Sequence, residues 1–205
     1  NISSGTLIIT HENALSSGDV TNNGLLEINL SANGTLANRF SGGAYEMTGT
    51  FNTTFTHANS SINTMKIVNG TLTLAQTGTF NTGDFTVNTG TNLVLNGGAL
   101  LGATSSYTQY AGSKLTVSVD SFSGSSIITA GNATIGGDLV VNGFAPTLPG
   151  QSSDLASFQY VVLTSGSEIS GVFNSVSMGY SSPVDYLRAE GFLTEDKRQY
   201  IDVLR

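Results

Sequence analysis

Leu26-Glu27-Ile28, Tyr45-Glu46-Met47, Met65-Lys66-Ile67 and Phe85-Thr86-Val87 are four versions of one arrangement, apolar then polar then apolar, and they begin at the nearly even positions 26, 45, 65 and 85. Each sets two apolar side chains on one face of an extended chain and a polar one on the other, the two-residue period of a β-strand. A recurrence near twenty residues, without helical signals, is the pattern of a β-solenoid. Each repeat is one coil, and each coil buries its apolar face only by stacking on its neighbours. Leu26, Tyr45, Met65 and Phe85 are therefore expected to pile up in one inward column.

Working outward, Leu36, Phe55, Leu74, Leu95, Leu115 and Leu139 recur with nearly the same period and suggest a second column. They sit in short alternating runs such as Thr71-Leu72-Thr73-Leu74 and Leu115-Thr116-Val117. Phe80 and Leu100, one period apart, suggest a third strand in each coil. Asn23-Gly24, Asn33-Gly34, Asn69-Gly70, Asn96-Gly97 and Asn142-Gly143 separate the runs. Such pairs tolerate positive φ and suit corners. They suit antiparallel hairpins equally, so the topology is decided by the period and not by the turns.

Composition fits a rod. The chain has 205 residues, 25 glycines, no cysteine, no tryptophan and 10% charged residues, and no capped amphipathic helix is readable before position 145. A hydrophobic fraction of 39% and a mean hydropathy of +0.07 are too apolar for a disordered Ser/Thr/Asn/Gly tract. The net charge of −7 disfavours nucleic acid and anionic membranes as partners. The lack of cysteine excludes a disulfide framework, a thiolate zinc site and a cysteine nucleophile. No apolar run approaches the roughly twenty residues of a membrane helix.

The character of the chain changes after residue 145. Pro146, Pro149 and Pro183 are its three prolines, and more charged side chains follow that point than precede it, in less than half the length. The apolar runs there are denser and no longer keep the earlier period. An open solenoid end exposes β-edges that recruit other chains unless something covers them. Residues 1–145 thus read as six or seven coils of a right-handed parallel β-helix, and 146–205 as a β-rich cap.

Three stretches add a resemblance. Ser106-Tyr107-Thr108-Gln109-Tyr110-Ala111-Gly112-Ser113-Lys114-Leu115-Thr116-Val117 resembles the Y-x-Q-x-x-G-S-x-L-x-V coil near the end of bacterial autotransporter (type Va secretion) passenger domains. Ile128 to Val141 is similar to that family's G-x-A-x-[IL]-G-G-x-L-x-V element, and Tyr160 to Phe173 to its Y-x-V-L-T-x-x-x-x-I-x-G-x-F junction, or autochaperone, region. The resemblance covers about residues 105 to 205. It implies an extracellular, non-enzymatic stalk whose C-terminal segment seeds folding, at the outer face of a Gram-negative outer membrane or released from it. The implied partner is the passenger's own C-terminal outer-membrane barrel, not contained in this chain, beside a host-surface or self-association partner of an adhesin or biofilm-type protein. Tyr160, Val162, Leu163, Ile169, Gly171, Phe173, Tyr186, Leu187, Tyr200 and Val203 would form the folding core. The chain carries neither a signal peptide nor a barrel pattern, so it reads as the membrane-proximal end of a longer passenger.

Other chemistry is weakly supported. Glu27 and Glu46 share one column, and strands in a sheet lie about 4.8 Å apart, near the roughly 5 to 5.5 Å of a retaining glycosidase pair. A tailspike- or pectinase-like carbohydrate enzyme is thus an alternative, as is an antiparallel β-sandwich adhesin. Lys66 follows in the same column, however, and a Glu-Glu-Lys stack is an ordinary solvated face. His11 and His57 are the only histidines and lie far apart in the chain, so no zinc site is expected. Gly136-Gly137-Asp138 lacks the rest of the calcium nonapeptide. No G-x-S-x-G elbow occurs, and no cofactor is implied. Tyr45, Phe55, Phe80 and Phe85 fall on inward positions, which leaves receptor contacts to loops such as Thr56 to Ser61 and Thr104 to Gly112.

Overall fold

A computed structural model describes residues 1–119, 127–142, 158–179, 188–193 and 198–204, the last two segments and 158–160 by their backbone course. An 11-stranded and a 7-stranded sheet make up the described molecule. The larger contains β1 (Thr6–Ile9), β2 (Val20–Ile28), β4 (Phe40–Met47), β6 (Ser61–Ile67), β8 (Gly78–Val87), β10 (Ala99–Gln109), β12 (Ile128–Ile135), β14 (Phe158–Ser165), β15 (Ile169–Gly171), β17 (Arg188–Leu193) and β18 (Arg198–Leu204). The smaller contains β3 (Gly34–Leu36), β5 (Asn52–Phe55), β7 (Thr71–Leu74), β9 (Asn92–Leu95), β11 (Lys114–Ser118), β13 (Asp138–Asn142) and β16 (Ser175–Met178). From β2 to β14 the strands alternate between the sheets in chain order, and every pairing among β1 to β16 is parallel. This is a parallel β-solenoid of about six turns.

The first expected column is present. Leu7, Leu26, Tyr45, Met65, Phe85, Tyr107, Ala133 and Ile169 are successive partners across the larger sheet. From Leu26 to Ile169 all are buried. One step along each strand the polar residues alternate with them, as a half-buried sheet requires.

The second column is shifted from the expected one at its midpoint. Leu36, Phe55, Leu74 and Leu95 do stack, but Leu95 lies on Val117 and then Val141, while Leu115 lies on Leu93 and Leu139. The coil that returns Leu95 to its own column ends at Val117 and not at Leu115. Those two extra positions move the pairing along the same inward face. The third column shows a smaller shift of the same kind, because Phe80 is paired with Leu101 and not with Leu100.

From β2 to β12 the third leg of one coil is continuous with the first leg of the next, whereas β14 and β15 are separate strands. In β2 and β10 a register break, at Asn22/Leu25 and Ala103/Ser106, marks the bend between the two legs. At the bend of β2 the buried Asn22 side chain donates to the Ala44 carbonyl at 2.9 Å and accepts from the Gly24 amide at 2.9 Å. A Cβ on Gly43, φ +48, would stand 2.4 Å from that Asn22 nitrogen, so only glycine fits beside the clamp.

Packing between the sheets is complementary. Asn81 donates its amide to the Ser60 carbonyl, and Phe40 donates its own to the Ser60 hydroxyl at 3.1 Å, so small Ser60 sits between the levels of Phe40 and Phe80. Phe55 comes across from the other sheet with its ring 4.9 Å from Phe40 and 5.9 Å from Phe80. A large residue from the smaller sheet thus occupies the room left by a serine just before β6 of the larger one, which is how a core reaches solid-like density.

Coils lengthen toward the C-terminus. The first column steps from Leu26 to Tyr45 near its start, then from Phe85 to Tyr107, from Tyr107 to Ala133 and from Ala133 to Ile169, each of these steps longer than the one before. Parallel stacking continues past residue 145 through β14, β15 and β16, and antiparallel pairing starts with β18.

Candidate functional site

The strands β14 to β18 combine two kinds of pairing. On one edge β14 joins β12 in parallel, with Leu163 opposite Ile128 and Ser165 opposite Ala130. On the other edge β14 joins β18 antiparallel, and β18 joins β17 antiparallel. The two modes meet inside one strand. Between Val161 and Leu163 the ladder to β18 slips by a residue, and Val162 and Leu163 are both fully buried although they are adjacent. A β-bulge turns two consecutive side chains away from solvent in this way.

Among the residues expected to form a folding core, Val162, Leu163, Ile169 and Phe173 belong to one buried cluster with Ile128, Ala133, Ile135 and Leu139. Gly171 has φ +81, and a Cβ there would stand 2.2 Å from the Ile135 carbonyl oxygen, so glycine lets the last coil close on β12. After Phe173 the Asn174 amide donates to the Gly137 carbonyl at 2.6 Å and leads into β16. Tyr160 pairs with Ile201, Tyr200 with Val161, and Val203 with Phe158, as backbone partners. Tyr186 and Leu187 lie outside the described residues.

The acidic column is also in register. Glu27 partners Glu46, Glu46 partners Lys66, and Lys66 partners Thr86. The Thr48 hydroxyl donates to Glu27 Oε1 at 2.8 Å. The carboxylate of Glu27 is thereby tied to the next coil, and Lys66 follows Glu46 in register along the column. Beside Glu27 on the preceding strand stands its partner Ile8, 53% exposed.

Among the described residues no group of three or more His, Cys, Asp or Glu side chains comes together. His11 Nδ1 accepts from the Asn13 amide at 3.2 Å and caps the short 3₁₀ turn Glu12–Leu15, while His57 Nδ1 contacts the Ala58 carbonyl. Glu12 accepts from the Thr35 amide at 2.8 Å. That turn covers the β3 edge, where strand addition would otherwise be open.

Tyr45, Phe55, Phe80 and Phe85 are all buried, and among the described residues the exposed aromatic rings are Phe51 and Tyr110, both at coil corners. Thr104 to Gln109, expected as loop, is the second half of β10. Sequence reasoning also missed Gln109, which takes the place of an apolar residue in the column that holds Val87. Its Oε1 accepts from the Tyr107 hydroxyl at 2.9 Å, and both side chains are buried. The Tyr-x-Gln spacing, which places both side chains on one face of a strand, was the available signal.

No protein-family model matches the chain, and no curated protein matches it.

Proposed function

We propose that the chain is a non-enzymatic extracellular stalk, and that residues 158–204 are the seed on which its coils fold. Its place would be the membrane-proximal part of an autotransporter passenger, of adhesin or biofilm type, at the outer face of a Gram-negative outer membrane or released from it. Its partner would be the C-terminal barrel of the same polypeptide. The observation that supports this reading is the change of pairing across β14: an antiparallel ladder on one side and a parallel stack on the other. β17 and β18 pair near neighbours in the chain and can close early, because such contacts carry little loop-closure cost. With β14 added, the unit presents a formed edge to which each parallel coil adds apolar area.

Folding of this kind draws unfolded chain toward the seed without an external energy source. Surface display of the chain fused to an autotransporter barrel tests it. Tyr160→Ala and Phe173→Ala are expected to slow the appearance of protease-resistant rod at the cell surface, and unchanged kinetics would refute the seed. A reducing-sugar release assay on the parent and Glu27→Gln checks the non-enzymatic reading; release by the parent that is lost in the variant would overturn it.

A further inference from the structure

Asn-Gly pairs carry a reaction of their own, in which the glycine amide nitrogen attacks the asparagine side-chain carboxamide. Four such pairs lie fully within the described residues, and the fold treats each differently. At Asn23-Gly24 the glycine amide donates to Asn22 Oδ1 at 2.9 Å, and a Cβ on Gly24 would stand 2.2 Å from the Gly5 carbonyl oxygen. The corner is shut. At Asn33-Gly34 the asparagine Oδ1 accepts from the Asn52 amide at 2.9 Å, which turns the carboxamide toward the next coil. At Asn69-Gly70 the glycine amide does lie 2.9 Å from its own Asn69 Oδ1, but the Cβ position of Gly70 is 2.4 Å from the Gly49 carbonyl oxygen and 2.8 Å from that of Phe51. The nitrogen is close but wedged.

At Asn96-Gly97 closeness and room to move coincide. The Gly97 amide nitrogen is 3.0 Å from Asn96 Oδ1, Gly97 has φ +63, and nothing stands within 4 Å of its Cβ position. Both residues are exposed. The Ser118 hydroxyl, one coil on, donates to the same Oδ1 at 3.1 Å. A hydroxyl aimed at that oxygen polarises the carboxamide and stabilises the negative charge that grows there on attack.

We propose that Asn96 is a site of self-promoted deamidation, with the Gly97 nitrogen as nucleophile and Ser118 Oγ stabilising the oxyanion. The Gly97 N–H gives its proton to water, the nitrogen bonds to Asn96 Cγ, and the Cγ–Nδ2 bond breaks as Nδ2 takes a proton back from water and leaves as ammonia. Water then opens the cyclic imide at either carbonyl, leaving aspartate or isoaspartate. No oxidant or cofactor enters. The aspartyl product adds a negative charge to the corner. The isoaspartyl product routes the main chain through the former side chain and displaces the Asn96 carbonyl that accepts from the Ala99 amide at 3.2 Å, the contact that leads into β10.

Site-resolved mass spectrometry on the folded chain, aged in mildly alkaline buffer, tests this, with the chain in denaturant as reference. Asn96 is expected to convert at least about tenfold faster than Asn23, Asn33 or Asn69 in the folded chain, a barrier difference of about 1.4 kcal/mol. The four should converge in denaturant. Ser118→Ala should slow Asn96 by about three- to tenfold with Asn69 unchanged, and Ser118→Thr should restore the rate. Protection of Asn96 equal to that of the other pairs, or a Ser118→Ala rate equal to the parent's, would overturn the proposal.

Discussion

Two phenylalanines of equal size in different parts of the rod separate a folding seed from an ordinary coil. Phe173 lies in the last parallel coil, 8% exposed, and Phe85 lies in the middle of the first column, fully buried with its ring 6.1 Å from that of Tyr107. Truncation of a buried Phe to Ala costs about 3–5 kcal/mol, and partial exposure places Phe173 near 3 and Phe85 near 4. How that loss divides between folding and unfolding rates depends on whether the contact exists in the transition state. If residues 158–204 form first, with about 0.7 of the native contact energy, Phe173→Ala slows refolding by about thirtyfold. Phe85→Ala, with about 0.2 of it, slows refolding only about fourfold and speeds unfolding by about two-hundredfold. Refolding from guanidinium, followed by far-UV circular dichroism or by the fluorescence of the seven tyrosines in a chain without tryptophan, measures both arms. Equal partition of the two losses, or slower refolding in the Phe85 variant, would refute the seed.

Three further outcomes follow from particular contacts. Gly171→Ala should destabilise the chain by about 2–4 kcal/mol, read from the denaturation midpoint, because positive φ and a clash with the Ile135 carbonyl combine there. Tyr107→Phe should cost about 1–3 kcal/mol by stranding Gln109 Oε1, whereas the double change Tyr107→Phe with Gln109→Leu should recover most of it, since removing both partners leaves no buried acceptor unpaired. Burial pushes the Tyr45 phenol up to about 12, and that of Tyr107 upward as well. In the unfolded chain tyrosine ionises near about 10, so stability is complete below that pH and falls by about 1.4 kcal/mol per pH unit for each buried phenol as pH rises toward the folded value. Tyr45→Phe should therefore move the onset of alkaline unfolding to higher pH.

The fold was legible because inward apolar residues recur with the coil, and Leu26, Tyr45, Met65 and Phe85 align by spacing alone. Register was less legible. A coil that gains two positions at a corner keeps its inward face and shifts its partner by two, which is how Leu115 comes to lie on Leu93 rather than Leu95. The bends within β2 and β10 were hidden for a related reason: bulged residues between two legs leave no apolar mark. Interior polar residues were invisible too. Ser60 and Gln109 are read as surface by any hydropathy rule, and only the neighbouring Phe55 and Tyr107 explain their burial. Val162, Leu163, Ile169 and Phe173, named through the resemblance, are buried, whereas no apolar pattern marks Gly171, whose positive φ beside the Ile135 carbonyl only the fold reveals.

The two ends of the rod differ in a way that bears on the direction of folding. At the β3 end of the smaller sheet, Glu12 of the 3₁₀ turn takes the Thr35 amide as its hydrogen-bond donor, so a helical turn stands where another strand would add. At the other end the larger sheet finishes in β18 and β17, whose antiparallel ladders have a spacing of hydrogen bonds that a parallel coil does not match. Parallel growth is therefore favoured at the β12-facing edge of β14 and not beyond β17. On the proposed seed reading, coil after coil is laid from β14 toward β1, with each inward residue landing on a column already begun: Ala133 on Ile169, Tyr107 on Ala133, Phe85 on Tyr107. A change that weakens β14's hold on β18 should delay every later coil, whereas one that weakens β2's hold on β4 should leave the rest of the rod to form at the parent rate. Pulse-labelled hydrogen exchange during refolding reads that order directly, and protection of β2 and β4 ahead of β12 and β14 would reverse the direction.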